Sequence, residues 1–365
     1  MTHPTVLMLG AAEQNRELVT ALQRLGAVVT TADPAVAEEV SAAIAAQRPE
    51  FVAAAADTVT PDTLSALTDA AETGSVQVVP SVRTVRLTAD FEAMRRLAAD
   101  ELGLPTVPFW FAGSTDELHA ISRNAGFPVV VRPAGAPPGV GQSLLVRAED
   151  VEPAWRYAMD ADAGERVLVE TVVEVDCAIT MLAVRSSGPA GPLLEFCAPI
   201  GHRRVAGPAD EPVVECWQPQ ELSSVVLDAA RSITARVVRS LGGRGVFGVE
   251  LLVSGDEVYF AGVNAQPGDT AWVTLRTQRL SAFELQARAV LGLAVDTIMI
   301  SPGAARLTAA DARAGGAAAA LAVPESDVLV FGGQPPRRLA VATASDVRIA
   351  RDRARQADAA LTVSS

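Results

Sequence analysis

The order of apolar and polar positions along the 365-residue chain predicts alternating short strands and amphipathic helices. Thr5–Gly10 is an apolar, β-branched run that favours a strand, and Glu13–Leu25 has the apolar spacing of a helix. A second strand is predicted over Ala27–Ala32. Two more apolar runs, Phe51–Ala55 and Val76–Val79, continue the pattern with helices between them. Strand and helix alternating in this way are typical of a parallel α/β sheet.

The remaining chain mixes helices with closely spaced strands. A helix is predicted over Asp90–Leu102. Beyond it, strands are predicted at Phe127–Val131, Leu144–Val146, Val167–Val169, Ala178–Val184, Leu194–Ala198, Val246–Val253, Glu257–Ala261, Asp327–Phe331 and Arg338–Ala344, and helices at Ala154–Met159 and Ser345–Ala359. Between Leu293 and Asp327 the sequence turns rich in glycine and alanine, which indicates a change of domain.

Composition narrows the class of protein. Apolar residues make up 49% of the chain and the mean hydropathy is +0.25, which excludes intrinsic disorder. A net charge of −13 argues against a nucleic-acid partner, and no apolar run is long enough to span a bilayer. Met1–Pro4 lacks the basic region of a secretory signal, and the three cysteines show no metal-binding spacing. We therefore expect a cytoplasmic protein.

The segment Val129–Gln142 joins an apolar, β-branched run to a glycine-rich loop. The backbone N–H groups of such a loop can bind phosphate oxygens, and lysines usually supply the charge. Here Val140 lies between the last two glycines, Gly139 and Gly141, and Arg132 is the only basic residue of the segment. Two prolines in the loop also lack N–H donors. The segment therefore has the spacing of a nucleotide-binding loop without most of its charge.

The glycine turn after the first strand reads Gly10-Ala11-Ala12 and departs from the dinucleotide-binding fingerprint, so NAD is not expected.

Longer blocks carry a resemblance to a known family. The chain resembles formate-dependent glycinamide ribonucleotide transformylase, of the ATP-grasp superfamily, from Val6 to about Val363. The blocks are Met94–Thr106, Phe196–Arg203, Trp217–Gln220, Leu241–Gly243, Val246–Leu251 and Gly255–Val258. The resemblance implies an α/β ATP-grasp fold with an N-terminal Rossmann-like (pre-ATP-grasp) domain at 1–89, the ATP-grasp domain at 90–295 and a small β-containing domain at 296–365.

The resemblance also implies a nucleotide site in which several residues have changed. The positions retained as a remnant site are Arg132, Gly139, Gly141, Glu170 and Val173, and Arg132 stands where the family has a lysine. Phe91 replaces an arginine that contacts the phosphates, Val140 a lysine, and Ala178 the carboxylate that binds the ribose.

Of the magnesium ligands implied by the resemblance, one carboxylate is also missing. Glu250 matches the first carboxylate, whereas Gly262 stands at the second. Asn264 offers one neutral oxygen, and Gln266 replaces an arginine. One carboxylate and one amide would bind a hard dication weakly. ATP and magnesium, the cofactors implied by the family, are therefore doubtful, and no other cofactor is expected.

The acceptor site matches the family better. The substrate-binding residues implied are Glu13, Gln14, Asp269, Arg337 and Arg338, the two arginines binding the acceptor phosphate. A solvent-exposed basic pair is the alternative for these arginines. Two departures are Gly333, where the family has a lysine, and Ala55, where it has a carboxylate that Asp57 would replace in part.

No catalytic residue can be fixed, and the candidates are Asp269, Glu13 and His202, which lies in a matched block. A histidine can carry a proton near neutral pH, but a structural role for His202 is favoured.

These observations predict a divergent transformylase homologue with a degraded ATP/Mg site. It would bind or transform a small phosphorylated or anionic metabolite without normal ATP turnover, as a homodimer. Two alternatives stay open. One is an active ATP-dependent carboxylate–amine ligase that transfers formyl to a glycinamide ribonucleotide-like amine through an acyl phosphate, and the other is a non-catalytic dimeric scaffold or sensor.

Overall fold

The computed structural model describes residues 3–10, 15–54, 59–135, 139–161, 164–188, 191–207, 210–312, 316–332 and 336–362. The chain forms two compact units. The first unit comprises Met1–Ala89, Cys177–Leu251 and Val263–Ser365, and the second comprises Asp90–Asp176 and Leu252–Gly262.

The first unit begins with a parallel four-stranded sheet in the order β2-β1-β3-β4. Its elements are β1 (Thr5–Leu9), α1 (Arg16–Arg24), β2 (Val28–Ala32), α2 (Ala37–Gln47), β3 (Phe51–Ala53), α3 (Pro61–Glu72), β4 (Gln77–Val79) and α4 (Val82–Ala89). Leu7, Met8 and Leu9 on the inner strand are buried, as expected for a strand covered on both faces. The parallel sheet predicted from the alternating pattern is confirmed.

The second unit contains an antiparallel sheet in the order β5-β8-β6-β7. Its elements are α5 (Phe91–Arg96), β5 (Phe109–Ala112), α6 (Thr115–Ala125), β6 (Val129–Pro133), β7 (Ser143–Leu145), α7 (Val151–Ala161) and β8 (Val167–Thr171). The helix predicted over Asp90–Leu102 begins at Phe91, capped by the Asp90 side chain, and widens into a π-helical turn over Leu97–Glu101.

The largest sheet has the order β14-β13-β9-β11-β12-β15-β17-β16, and β10 pairs with β9. The elements of this part of the chain are β9 (Cys177–Gly188), β10 (Gly191–Phe196), β11 (Ile200–Ala206), β12 (Pro212–Gln218), α8 (Ser224–Leu241), β13 (Gly245–Ser254), β14 (Glu257–Asn264), α9 (Thr274–Thr277), α10 (Ala282–Val290), β15 (Gly303–Thr308), α11 (Gly316–Leu321), β16 (Ser326–Phe331), β17 (Arg337–Thr343) and α12 (Val347–Ala360). The chain passes from one unit to the other along β13 and β14.

Three strands of this sheet, β11, β12 and β15, have no counterpart among the predicted strands. The glycine- and alanine-rich stretch contains β15, which is fully buried and paired on both sides by β12 and β17. Its small residues fit a close approach, since a Cβ at Gly303 would lie 2.6 Å from Thr277 Cγ2. The glycine- and alanine-rich stretch therefore includes a tightly packed, buried strand.

Among the described residues, no helix is both long enough and apolar enough to cross a membrane.

Candidate functional site

In the second unit, a buried ionic cluster occupies the residues assigned to the remnant nucleotide site. Arg132 lies on β6 and Glu170 on the neighbouring strand β8. The Arg95 guanidinium, from α5, forms an ion pair with one Glu170 oxygen, and Arg132 Nε lies 3.7 Å from the other. Both arginines are buried. The Glu170 carboxylate is thus already bound by two cations of its own chain.

Aromatic rings cover the same two arginines. The Arg132 guanidinium carbon lies 4.6 Å from the centre of the Phe91 ring, and that of Arg95 lies 5.0 Å from the centre of the Phe109 ring. Arg95 also donates a hydrogen bond to the Phe260 carbonyl, at 3.2 Å. Burial lowers the pKa of both arginines to about 10, and the Arg132 charge contributes for Arg95. Both therefore stay cationic at neutral pH.

The glycine-rich loop also uses its groups internally. The Gly139 N–H donates to the Gln142 side-chain oxygen at 3.0 Å. Gly141 has a φ of +57°, and a Cβ there would lie 2.7 Å from Ala161 Cβ, so packing alone requires glycine at this position. Val140 is exposed, and Val173, after β8, is partly buried. The two loop prolines, Pro137 and Pro138, lie outside the described residues.

The magnesium ligands implied by the resemblance do not form a metal cluster. Glu250 on β13 is partly buried, and Asn264 at the end of β14 is exposed. At Gly262 an added Cβ would meet no atom within 4 Å, so space for a side chain is present where the carboxylate is missing. The described part of the chain holds no group of three or more His, Cys, Asp or Glu placed for a metal. One carboxylate and one amide are a weaker set of donors for a hard dication than two carboxylates.

His202 lies on β11, opposite Ala178 on β9 and Cys216 on β12. Burial lowers the pKa of His202, while the Glu250 carboxylate opposes that shift. Its Nε2 is buried and has no hydrogen-bond partner among the described residues. The imidazole is therefore neutral at pH 7.

In the first unit, Asp269 and Arg337 form an ion pair at a partly exposed position. Asp269 begins the 3₁₀ turn Asp269–Val273, and Arg337 is the first residue of β17. Arg337 Nη2 lies 2.5 Å from Asp269 Oδ1, with side chains 38% and 41% exposed. The two acceptor-site candidates are therefore in contact and within reach of solvent.

Arg338, the other candidate of the basic pair, has a different environment. Its side chain is 2% exposed, and Nε donates to Asp358 Oδ1 at 3.0 Å. Nη2 donates to Glu211 Oε1 at 3.3 Å and Nη1 to the Asp311 carbonyl at 3.0 Å. Adjacent residues of a strand point to opposite faces, which separates Arg338 from Arg337. The anion that a buried Arg338 requires is supplied by the protein itself.

Several sequence-derived candidates lie outside the described residues, namely Glu13 and Gln14 in 11–14, Ala55 and Asp57 in 55–58, and Gly333 in 333–335. Arg95 is not among the site residues predicted from the sequence, although it belongs to the matched block Met94–Thr106. Asp358 on helix α12 is likewise not predicted, because no local sequence pattern marks it.

Comparisons with known proteins identify the family to which the chain is similar. An ATP-grasp domain model matches residues 97–283. The formate-dependent phosphoribosylglycinamide formyltransferase of Corynebacterium efficiens is 43% identical, over 98% of this chain and 95% of that protein. The enzyme of the same name from Rhodococcus jostii is 42% identical, over 96% and 93%.

Solved structures of other proteins are similar to this chain over nearly its whole length. Glycinamide-RNase-transformylase T from Mycobacterium tuberculosis has a TM-score of 0.84 and 48% identity, over 98% of this chain and all of that one. A carboxyaminoimidazole ribonucleotide synthase from Aspergillus clavatus, at 16% identity and a TM-score of 0.80 over 98% of both chains, shares the fold. The α/β ATP-grasp fold implied by the resemblance is confirmed, and the chain belongs to the family of formate-dependent phosphoribosylglycinamide formyltransferases.

Proposed function

We propose that this chain is a divergent member of its family that binds a small phosphorylated or anionic metabolite and does not turn over ATP in the ordinary way. The observation that carries the proposal is that the Glu170 carboxylate forms ion pairs within its own chain. Its carboxylate is paired with Arg95 and Arg132, and the Phe91 ring covers Arg132. A nucleotide would have to compete with these internal contacts.

The phosphate and metal side supports the same conclusion. Triphosphate transfer requires cations on the phosphates and carboxylates on magnesium. Val140 supplies no cation for the phosphates, and Gly262 supplies no carboxylate for magnesium. The Gly139 N–H already donates a hydrogen bond to the Gln142 side chain.

The acceptor side keeps accessible charge. Arg337 and Asp269 are each more than a third exposed, so an anionic group can approach the guanidinium and an amine can approach the carboxylate. In this proposal Arg337 binds the anion, Asp269 orients the amine, and Arg338 holds β17 through Asp358. Glu13 and Gln14 complete the acceptor site, as the family resemblance implies.

A paired calorimetric titration tests the proposal. The protein is titrated with glycinamide ribonucleotide alone and with ATP and magnesium chloride alone. We expect glycinamide ribonucleotide to bind. ATP with magnesium should give no binding heat at a nucleotide concentration on the order of tens of micromolar, because the charged contacts to the phosphates are lost. Tight ATP binding, or ATP hydrolysis that requires both formate and glycinamide ribonucleotide, would overturn it.

A second candidate function is the activity named for the relatives, ATP-dependent formyl transfer from formate. The specific observation in its favour is 42–43% identity over nearly the whole chain. In that case Arg132, Glu250 and Asn264 take the places of the usual ligands. Formate-dependent ATP hydrolysis separates it from the first candidate, and the absence of binding to both ligands leaves the scaffold alternative.

Three further expectations belong to the proposal. They are a homodimer in solution, a cytoplasmic location, and the domain boundaries 1–89, 90–295 and 296–365.

A further inference from the structure

A cavity of about 400 Å³ lies beside β4 in the first unit. Sites for small molecules have volumes of about 300 to 1,000 Å³, so this cavity is large enough for one small ligand. Its wall is mostly valine, alanine and glycine, and its polar side chains are those of Gln77, Ser81 and Arg244. None of the described residues that line it belongs to the nucleotide or acceptor candidates, so the cavity is distinct from both.

The edge of β4 offers backbone groups to this cavity. β4 is the last strand in the order β2-β1-β3-β4, so one of its edges is unpaired within the described residues. Gln77 and Val79 use their backbone groups to pair with β3. Because alternate residues of a parallel strand bond to the same neighbour, the N–H and C=O of Val78, which lines the cavity, point to the free edge. Pro80, the next residue facing that edge, has no N–H, so a long β ladder cannot form there.

Arg244 brings a cation to the same wall. Its Nη2 donates hydrogen bonds to the Gln77 side-chain oxygen at 2.9 Å and to the Val290 carbonyl at 3.3 Å, and both acceptors are neutral. No carboxylate in the described part of the chain forms an ion pair with it. Burial lowers the pKa of Arg244, and the Glu50 carboxylate opposes that shift. A half-buried guanidinium with neutral partners favours an anion beside it.

The turn that carries Arg244 is held against the start of α4. A Cβ at Gly243, whose φ is +70°, would lie 2.7 Å from Ser81 N, so the two backbones are in close contact. The Thr84 N–H donates to Ser81 Oγ at 3.2 Å, and Thr84 Oγ1 donates to the Leu241 carbonyl at 3.0 Å. The wall of the cavity is therefore fixed before a ligand binds, which lowers the entropic cost of binding.

We propose that this cavity binds a small planar cyclic amide that carries an anionic group. The N–H and C=O of Val78 bond to the C=O and N–H of the ring, and Arg244 pairs with the anion. In a cyclic amide the two polar groups lie on neighbouring atoms of one edge, which suits the donor and acceptor of a single residue. The apolar wall shields the ring from water. The inference goes beyond the proposed function, because the two involve different residues.

The test is a calorimetric titration of the full chain with three probes. Orotate is a pyrimidine that has both the cyclic amide and a carboxylate, uracil lacks the carboxylate, and benzoate lacks the amide. We expect orotate to bind with a Kd of about 1 mM or tighter, the order expected of a ligand of this size. Uracil and benzoate should each bind roughly tenfold more weakly or worse, because each loses one set of hydrogen bonds.

Two substitutions test the residues. Arg244→Gln should weaken orotate binding roughly tenfold or more, whereas Arg244→Lys should retain part of the affinity. The matched control is Arg239→Gln, which removes the same charge from an exposed position in the last turn of α8 and should leave binding unchanged. Val78→Pro removes the N–H that faces the cavity without removing a bond to β3, and should abolish orotate binding. Melting temperatures of all variants separate loss of binding from loss of fold.

The inference is overturned if orotate shows no saturable binding up to about 10 mM, or if uracil or benzoate binds as tightly. Equal affinity of the parent and a folded Arg244→Gln variant also overturns it. Should Arg244→Gln or Val78→Pro unfold, the comparison of the three probes on the parent decides.

Two further outcomes assign the cavity differently. If saturating glycinamide ribonucleotide displaces orotate, orotate binds at the acceptor site, and this inference fails while the proposed function stands. If orotate binds with the expected profile and glycinamide ribonucleotide does not bind, the cavity stands and the proposed function fails. If light scattering shows a dimeric parent and a monomeric Val78→Pro variant, the edge of β4 is an interface between copies and the inference is overturned.

Discussion

The guanidinium carbon of Arg132 lies 4.6 Å from the centre of the Phe91 ring, and the same guanidinium faces the Glu170 carboxylate. A planar guanidinium can stack on a ring and pair with a carboxylate at the same time, whereas an ammonium is a compact point charge. Arginine at 132 and phenylalanine at 91 therefore fit each other. Together with Glu170 they form an internal cluster of packed and paired side chains.

The first prediction concerns the carboxylate of this cluster. Glu170→Gln removes the negative charge that Arg95 and Arg132 share, so both cations stay buried with less compensation. We expect a loss of about 2–4 kcal/mol in the free energy of unfolding, below the full cost of breaking a buried pair because Glu170 is partly exposed. Urea unfolding of the parent and the variant measures it.

The matched control for Glu170→Gln is Glu152→Gln, which breaks an exposed ion pair with Arg156 on α7. It should change stability by less than about 1 kcal/mol. Equal effects of the two substitutions would contradict the structural importance of the cluster.

The second prediction separates the two neighbouring arginines of β17. Arg338→Met removes one cation from Glu211 and one from Asp358, so we expect a loss of about 3 kcal/mol or more. Arg337→Met removes a partly exposed pair and should cost about 1 kcal/mol or less. Thermal and urea unfolding of the two variants, made in parallel, test this difference. A stable Arg338→Met variant that no longer binds glycinamide ribonucleotide would instead make Arg338 a ligand.

The sequence predicted the parallel sheet and the strand that carries these arginines, because apolar runs and their spacing determine both. It did not predict the partners of Arg338. Alternation along a strand already implies that Arg337 and Arg338 point to opposite faces, and that local signal argues against a shared ligand. Asp358, which binds Arg338, lies on another element, and no local pattern reports such a contact. Strand β15 was missed for a related reason, since its glycine and alanine residues are selected by close packing between strands.

The third prediction concerns cysteine reactivity. Burial raises the pKa of Cys197 and of Cys216 to about 12, so neither forms appreciable thiolate at pH 8. Cys177 is partly exposed. In the native protein a disulfide-exchange reagent at pH 8 should therefore react with Cys177 first, and with the other two only after unfolding. Cys177→Ser should abolish the native reaction, and rapid labelling of that variant would show that the buried thiols are accessible.

The last prediction is a pH dependence of stability centred on Glu215. This side chain is 1% exposed, and its carboxylate accepts hydrogen bonds from Arg203 at 3.0 Å and Arg351 at 3.1 Å. Burial raises the pKa of Glu215, but the hydrogen bonds from the two arginines outweigh it and the net shift is downward. A carboxyl with a lowered pKa in the folded state stabilises the protein above its unfolded pKa, about 4.3, and loses that contribution as the pH falls through the folded value.

We therefore expect Glu215→Gln to be less stable than the parent by about 3 kcal/mol at pH 7, the order of a broken buried pair. The difference should begin to narrow below about pH 4.3, because the carboxyl of the unfolded parent then binds a proton while the folded carboxyl still resists protonation, and it is lost only below the folded pKa. Urea unfolding of both proteins is measured at about pH 7, 5, 4 and 3.5. The difference between them isolates the contribution of Glu215, because the other carboxyl groups are common to both proteins. A difference that stays constant across this range would mean that the charge of Glu215 contributes nothing and that only its packing matters.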